Sequence, residues 1–180
     1  MGEKDMNKIS KLFSRSKDEK DGKDGKDGDA AVIMSPADGV AIPLSGVEDE
    51  VFSQGILGEG CAVNPSGNEL YAPVSGVIDS VFDTSHAISM TAECGAELLI
   101  HCGIDTVTLR GEGFLSLVKA GDSVRVGEPI LRFDAELIRS RGLLPTTPVI
   151  VLNADRFAVF PEPFGEVKKG QPLMRLREKK

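Results

Sequence analysis

The 180-residue chain has no apolar run approaching the roughly 18–20 residues needed to span a bilayer, and its N-terminus lacks the continuous apolar stretch of a secretory signal. Both absences point to the cytoplasm. Basic charge is in short supply: 28 acidic side chains outnumber 21 basic ones, for a net charge of −7. Neutralising nucleic-acid phosphates takes a basic face, so nucleic acid is excluded as a partner and basic proteins are favoured. The three cysteines, Cys61, Cys94 and Cys102, form no C-x-x-C pair, which suits reduced and mostly buried thiols. No serine sits in a G-x-S-x-G elbow, and no G-x-x-x-x-G-K-[ST] loop is present to cradle a nucleotide. Acyl transfer and nucleotide binding therefore have little support.

Residues 18–30 are polar and charged, with a K-D-G triplet repeated three times and no proline. Such a segment has too little apolar surface to offset its ordering entropy and reads as a charged, disordered linker. Ahead of it, residues 1–17 carry net +3 and place Met6, Ile9, Leu12 and Phe13 on one side of a helical wheel. That is the pattern of a weak amphipathic leader able to rest on anionic lipid at the inner face of the membrane. Residues 1–30 are neutral in sum, so the whole negative charge belongs to residues 31–180, expected to form one globular domain.

From Ala31 onward, short apolar runs alternate with Gly, Pro, Asn and Asp: GVAIPL, CAV, ELYAP, GVIDSVF, AISMTA, ELLIHCG, FLSLV, SVRV, PILRF, PVIVLN and PLMRLR. These read as strands too closely spaced for crossover helices, hence an all-β antiparallel sandwich or barrel. One or two short helices are the most it can hold. Asp134 to Arg141 has the pattern for one, with Asp134 as its cap. Residues 118–133 and 164–176 echo each other, each placing a glycine turn before an apolar strand, as an internal half-repeat would.

Only two histidines occur. In ELLIHCG, strand alternation puts Leu99 and His101 on one face and Leu98, Ile100 and Cys102 on the other, while His86 opens the AISM strand after a DTS turn. Thr84 precedes His86 by two residues and Thr106 follows His101 by five. Two imidazoles with neighbouring hydroxyls leave two chemistries open, a metal site or a phosphohistidine.

Several collinear motifs resemble one family, the glucose-type enzyme IIA domains of the bacterial phosphotransferase system. They are PADGVAIPL, VFSQGILGEGCAVNPSGN, YAPVSGVIDSVFDTSHAIS, GAELLIHCGIDTV, GEGF and VKAGDSVRVGEPILRFD, spread through residues 35–178. The resemblance implies a kinase-like transferase component without cofactor or obligatory metal. It would accept a phosphoryl group on Nε2 of His101 from the phosphocarrier protein HPr and pass it to the enzyme IIB/IIC sugar permease. Metabolic enzymes and permeases would be further regulatory targets. By the same resemblance His86 is the second active-site histidine, Thr84 orients the rings, and Asp49 and Asp105 lie near the docking face. Cys102 and Glu50 depart from the family's usual apolar residues.

Such a site needs a shallow apolar surround that excludes water. Val51, Phe52, Ile56, Leu57, Phe82, Leu99 and Val107 are the candidates for it, and Phe52, flanked by Glu48, Asp49 and Glu50, is expected to be exposed. Two rivals are weaker. A zinc hydrolase of the lysostaphin-like type shares the H-x-x-x-D spacing of His101 and Asp105 but needs a further H-x-H pair. A biotinyl or lipoyl carrier, which GDSVRVGEPI resembles, needs a displayed lysine that is missing here.

Overall fold

A computed structural model describes residues 31–180. The leader and linker expected over residues 1–30 lie outside the described residues. The strands are β1 (Ala31–Met34), β2 (Gly39–Pro43), β3 (Glu59–Pro65), β4 (Glu69–Tyr71), β5 (Gly76–Val81), β6 (Ala87–Ala92) and β7 (Glu97–His101). They continue as β8 (Phe114–Ser116), β9 (Ser123–Val124), β10 (Pro129–Phe133), β11 (Thr147–Val151), β12 (Phe157–Pro161), β13 (Gly165–Val167) and β14 (Pro172–Glu178). Two short helices, α1 (Glu50–Ser53) and α2 (Ala135–Ser140), interrupt them, with 3-10 turns at Leu44–Gly46 and Thr106–Leu109. The all-β expectation holds, and so does the α2 prediction: the Asp134 carboxylate accepts from the Leu137 backbone N–H at 2.9 Å.

Every recorded strand pairing is antiparallel. Eight strands form one sheet in the order β13-β2-β3-β11-β7-β6-β5-β9, and two three-stranded sheets run β1-β14-β12 and β4-β10-β8. The order is symmetric. Matching β13, β2, β3 and β11 with β9, β5, β6 and β7 reads the large sheet alike from both ends, and the same matching exchanges the small sheets. The echo seen in the sequence falls on this symmetry. Each segment supplies an outer strand of the large sheet, β9 or β13, and then the central strand of a small one, β10 or β14.

Strand alternation divides the apolar residues between two cores. Ile88, Met90, Leu98, Ile100, Val149 and Val151 enter the large core. The alternate positions Ala87, Leu99, Ile150 and Ala62 face a smaller core with Leu44, Phe52, Leu57 and Phe82. This second core exists because residues 44–58, between β2 and β3, fold back across the sheet. The site is built into it.

Candidate functional site

His101 ends β7 and His86 immediately precedes β6, and these strands are hydrogen-bonded neighbours with Ala87 opposite His101. The ladder extends one step further, where the Cys102 N–H donates to the His86 carbonyl at 2.7 Å. Residues fifteen positions apart thus become adjacent. Their rings meet edge to face with centroids 4.9 Å apart and planes at 76°. Phe52 packs on His101 at 5.1 Å and Phe82 on His86 at 5.6 Å, making a row of four rings.

Each imidazole is held by its Nδ1 atom. That of His101 donates to the Gly103 carbonyl at 2.8 Å. This bond puts the ring proton on Nδ1 and leaves Nε2 as the atom with the lone pair. Gly103 adopts φ +80°, and a Cβ there would come within 2.3 Å of Thr106 Cγ2, so only glycine brings its carbonyl to this place. Around His86, the Thr84 hydroxyl is hydrogen-bonded to Nδ1. Thr106, which lies near His101 in sequence, instead donates to the Cys102 carbonyl at 2.7 Å. It secures the turn below the ring rather than the ring itself.

The pair is buried, His101 being 2% and His86 0% exposed. Loss of hydration, with the neighbouring His86 adding to it, pushes the His101 imidazole down from 6.5 to about 3, against a smaller opposing effect of the Gly103 bond. At neutral pH the ring is uncharged, and its Nε2 has no hydrogen-bond partner among the described residues. A neutral imidazole with a fixed proton and a bare nitrogen is a nucleophile. No group of three or more His, Cys, Asp or Glu side chains among the described residues is placed to hold a metal ion. Among the described residues the zinc-hydrolase reading finds no third ligand beside the two histidines.

The surround differs from the sequence expectation in one respect that matters. Phe52 is 1% exposed, not surface-presented. Asp49 begins a helical turn, its carboxylate accepting from the Val51 and Phe52 N–H groups, and this turns position 52 inward onto His101. Ile56, at 59% exposure, is the large apolar residue that reaches solvent instead. Phe82 and Leu99 are likewise buried and form the floor rather than a contact surface, while Val51 and Val107 are half-buried. Asp105 is exposed, and Asp49 is half-buried beneath its cap. Sequence reasoning expects a backbone carbonyl near His101 to accept from the ring without naming Gly103, and it misses Ile104 and Leu152, which complete the floor.

Residues 31–157 match a family model described as phosphoenolpyruvate-dependent sugar phosphotransferase system, EIIA 1. The glucose-specific EIIA component of Haemophilus influenzae is 40% identical over 142 residues, 79% of this chain and 86% of that protein. The beta-glucoside-specific EIIBCA component of Bacillus subtilis is 44% identical over 141 residues, but the chain spans only 23% of its length. Among solved structures, the glucose permease IIA from Mycoplasma capricolum superposes with a TM-score of 0.78 at 35% identity, covering 82% of this chain and 96% of the other. Among the described residues no helix is long and apolar enough to cross a membrane.

Proposed function

The chain belongs to the EIIA family of the phosphoenolpyruvate-dependent sugar phosphotransferase system, and from that premise we propose that His101 carries the phosphoryl group in transit from HPr to the enzyme IIB domain of a sugar transporter. One observation carries the assignment of the residue: the Nδ1–H bond to the Gly103 carbonyl leaves Nε2 of a neutral ring as the reacting atom. In the forward step the Nε2 lone pair attacks phosphorus while the bond from phosphorus to the donor's imidazole breaks. The proton stays on Nδ1 throughout, hydrogen-bonded to the Gly103 carbonyl. Retaining it keeps phosphorylated His101 a good leaving group, so the reverse bond exchange delivers phosphate to the acceptor.

His86 has a different task. Thr84 fixes its ring beside the reacting nitrogen, where an N–H can stabilise charge spreading over the transferred oxygens. The apolar floor of Leu99, Phe82 and Ile150 excludes water that would hydrolyse the intermediate. Exposed Glu48, Glu50 and Asp105 set an acidic rim suited to basic partners.

The test uses the general phosphotransferase proteins and labelled phosphoenolpyruvate. His101→Gln should take up no label, whereas His86→Gln should accept it, since an amide N–H partly replaces the imidazole donor, and then discharge slowly to the acceptor domain. Robust labelling of the His101 variant, or loss of labelling in the His86 variant alone, would reverse the two roles.

A further inference from the structure

We propose that Thr106 is a positioning residue for His101: by holding the Cys102–Gly103 peptide it keeps the Gly103 carbonyl on Nδ1 and so decides which ring nitrogen is free to react. The proposal rests on His101 being the phosphorylated residue.

The three peptide units that follow His101 are tied one by one. In the first, the Cys102 N–H donates to the His86 carbonyl at 2.7 Å. In the second, the Cys102 carbonyl accepts from the Thr106 hydroxyl at 2.7 Å. The third is held at both ends: its Gly103 carbonyl accepts from His101 Nδ1 at 2.8 Å, while its Ile104 N–H donates to the Leu144 carbonyl, also at 2.8 Å. Donation from the far end polarises this unit and strengthens its carbonyl as an acceptor. Leu144 lies on the stretch joining α2 to β11, which the Thr146 hydroxyl pins to Asn64 Oδ1 on β3 at 2.6 Å.

The second unit is the one most prone to turn over. It precedes a glycine, and flipping such a peptide reverses the sign of φ at the glycine, which populates both signs at little steric cost. Gly103 stands at φ +80°. At a negative φ the chain beyond it leaves in another direction and carries the carbonyl off the ring. The Thr106 hydroxyl selects the positive form, and its methyl group supports that choice. A Cβ on Gly103 would come within 2.3 Å of Thr106 Cγ2 and 3.0 Å of the Leu144 oxygen, so both partners close on this one residue. Thr106 is itself fully buried at the start of the 3-10 turn, where its hydroxyl is shielded from solvent.

The consequence is chemical. Once the Gly103 carbonyl leaves Nδ1, the ring loses the bond that favours the Nδ1–H tautomer. An imidazole with its proton on Nε2 cannot attack through that atom. The loss therefore falls on the transfer step and not on docking of the donor, whose charged rim is untouched.

Nitrogen-15 NMR of the imidazoles at pH 7, paired with phosphoryl uptake from phosphorylated HPr by the full chain, tests this. In the wild type, Nδ1 of His101 should resonate as a protonated nitrogen and Nε2 as a bare one. Thr106→Val keeps the shape and removes the hydroxyl. It should bring the two shifts together as the Nε2–H tautomer rises to about a third of the population or more. It should also lower kcat for uptake at least about threefold, with KM within about twofold of wild type. Thr106→Ser restores the hydroxyl and should recover kcat to within about 1.5-fold, together with the wild-type shifts. Thr106→Ala, which leaves space for a water on the Cys102 carbonyl, gives the same reading if the valine variant does not fold. A folded valine or alanine variant with the wild-type tautomer and kcat overturns the proposal and leaves Thr106 as a support of the turn alone. A serine variant as impaired as the valine one overturns it too. Phosphate label on a residue other than His101 would remove the site assignment while leaving the tautomer shift intact, so the two failures are distinguishable.

Discussion

Lowering the pH from 7 toward 4 puts a direct load on the buried imidazole. His101 is held at about 3 in the fold, against an ordinary value of 6.5. Between those limits the unfolded chain binds a proton at this residue and the folded one does not. Stability therefore rises with pH through that window, is fully present above about 6.5, and is lost as pH falls, at about 1.4 kcal/mol per pH unit. At pH 4.5 the deficit from this one group reaches roughly 2–3 kcal/mol, a large share of a domain's total stability. Asp79 and Glu97, both shifted upward chiefly by burial, act with the opposite sign, since their folded forms hold protons more tightly. Comparison with His101→Gln removes their contribution. Urea unfolding of both proteins at pH 7, 6, 5 and 4.5 should show the wild type losing stability faster by one proton's slope. Parallel curves, or an imidazole NMR resonance of His101 titrating near 6.5, would refute the reasoning.

Two further substitutions probe the site's framing. Gly103→Ala forces a Cβ to within 2.3 Å of Thr106 Cγ2 and into a left-handed backbone. It should destabilise the domain by about 1–3 kcal/mol, slow phosphate uptake, and weaken the Nδ1–H signature of His101 in nitrogen-15 spectra. Asp105→Asn removes a charge from the exposed rim, so it should slow association with HPr at low salt and flatten the salt dependence without changing the rate of transfer within the complex; stopped-flow kinetics across ionic strengths would detect it.

Strand periodicity made most of this architecture legible, because a half-buried strand must alternate and the sheet's two faces feed two separate cores. The alternation in ELLIHCG correctly separates Leu99, on the small-core face, from Leu98 and Ile100. It is silent where structure is too short to repeat. α1 has four residues and no period, so its acidic neighbours point to an exposed Phe52, whereas a capped turn rolls it inward. β12 and β13 escaped for a similar reason: FAVFP and GEV are cut by prolines and glycine that mark turns elsewhere in the chain. The histidine pair is legible as chemistry, but spacing by itself does not say which hydroxyl serves it. Spacing alone leaves Thr84 and Thr106 equivalent and the family resemblance selects Thr84; the turn geometry sends Thr84 to a ring and Thr106 to a backbone carbonyl.

The symmetric strand order has a consequence for how the labour of the site is divided. Both histidines, Thr84 and Gly103 belong to the half containing β4 to β10, on β7 or next to β6 and β7. In the matching half the equivalent strands, β11 with TPVIV and β3 with EGCAVNP, carry no histidine. That half contributes residues 44–58 instead, the stretch that roofs the rings. One half of the symmetric strand order supplies the rings and the other supplies their cover. The two halves meet edge to edge through the β7–β11 ladder, so the apolar pocket around the rings is built from both and belongs to neither alone.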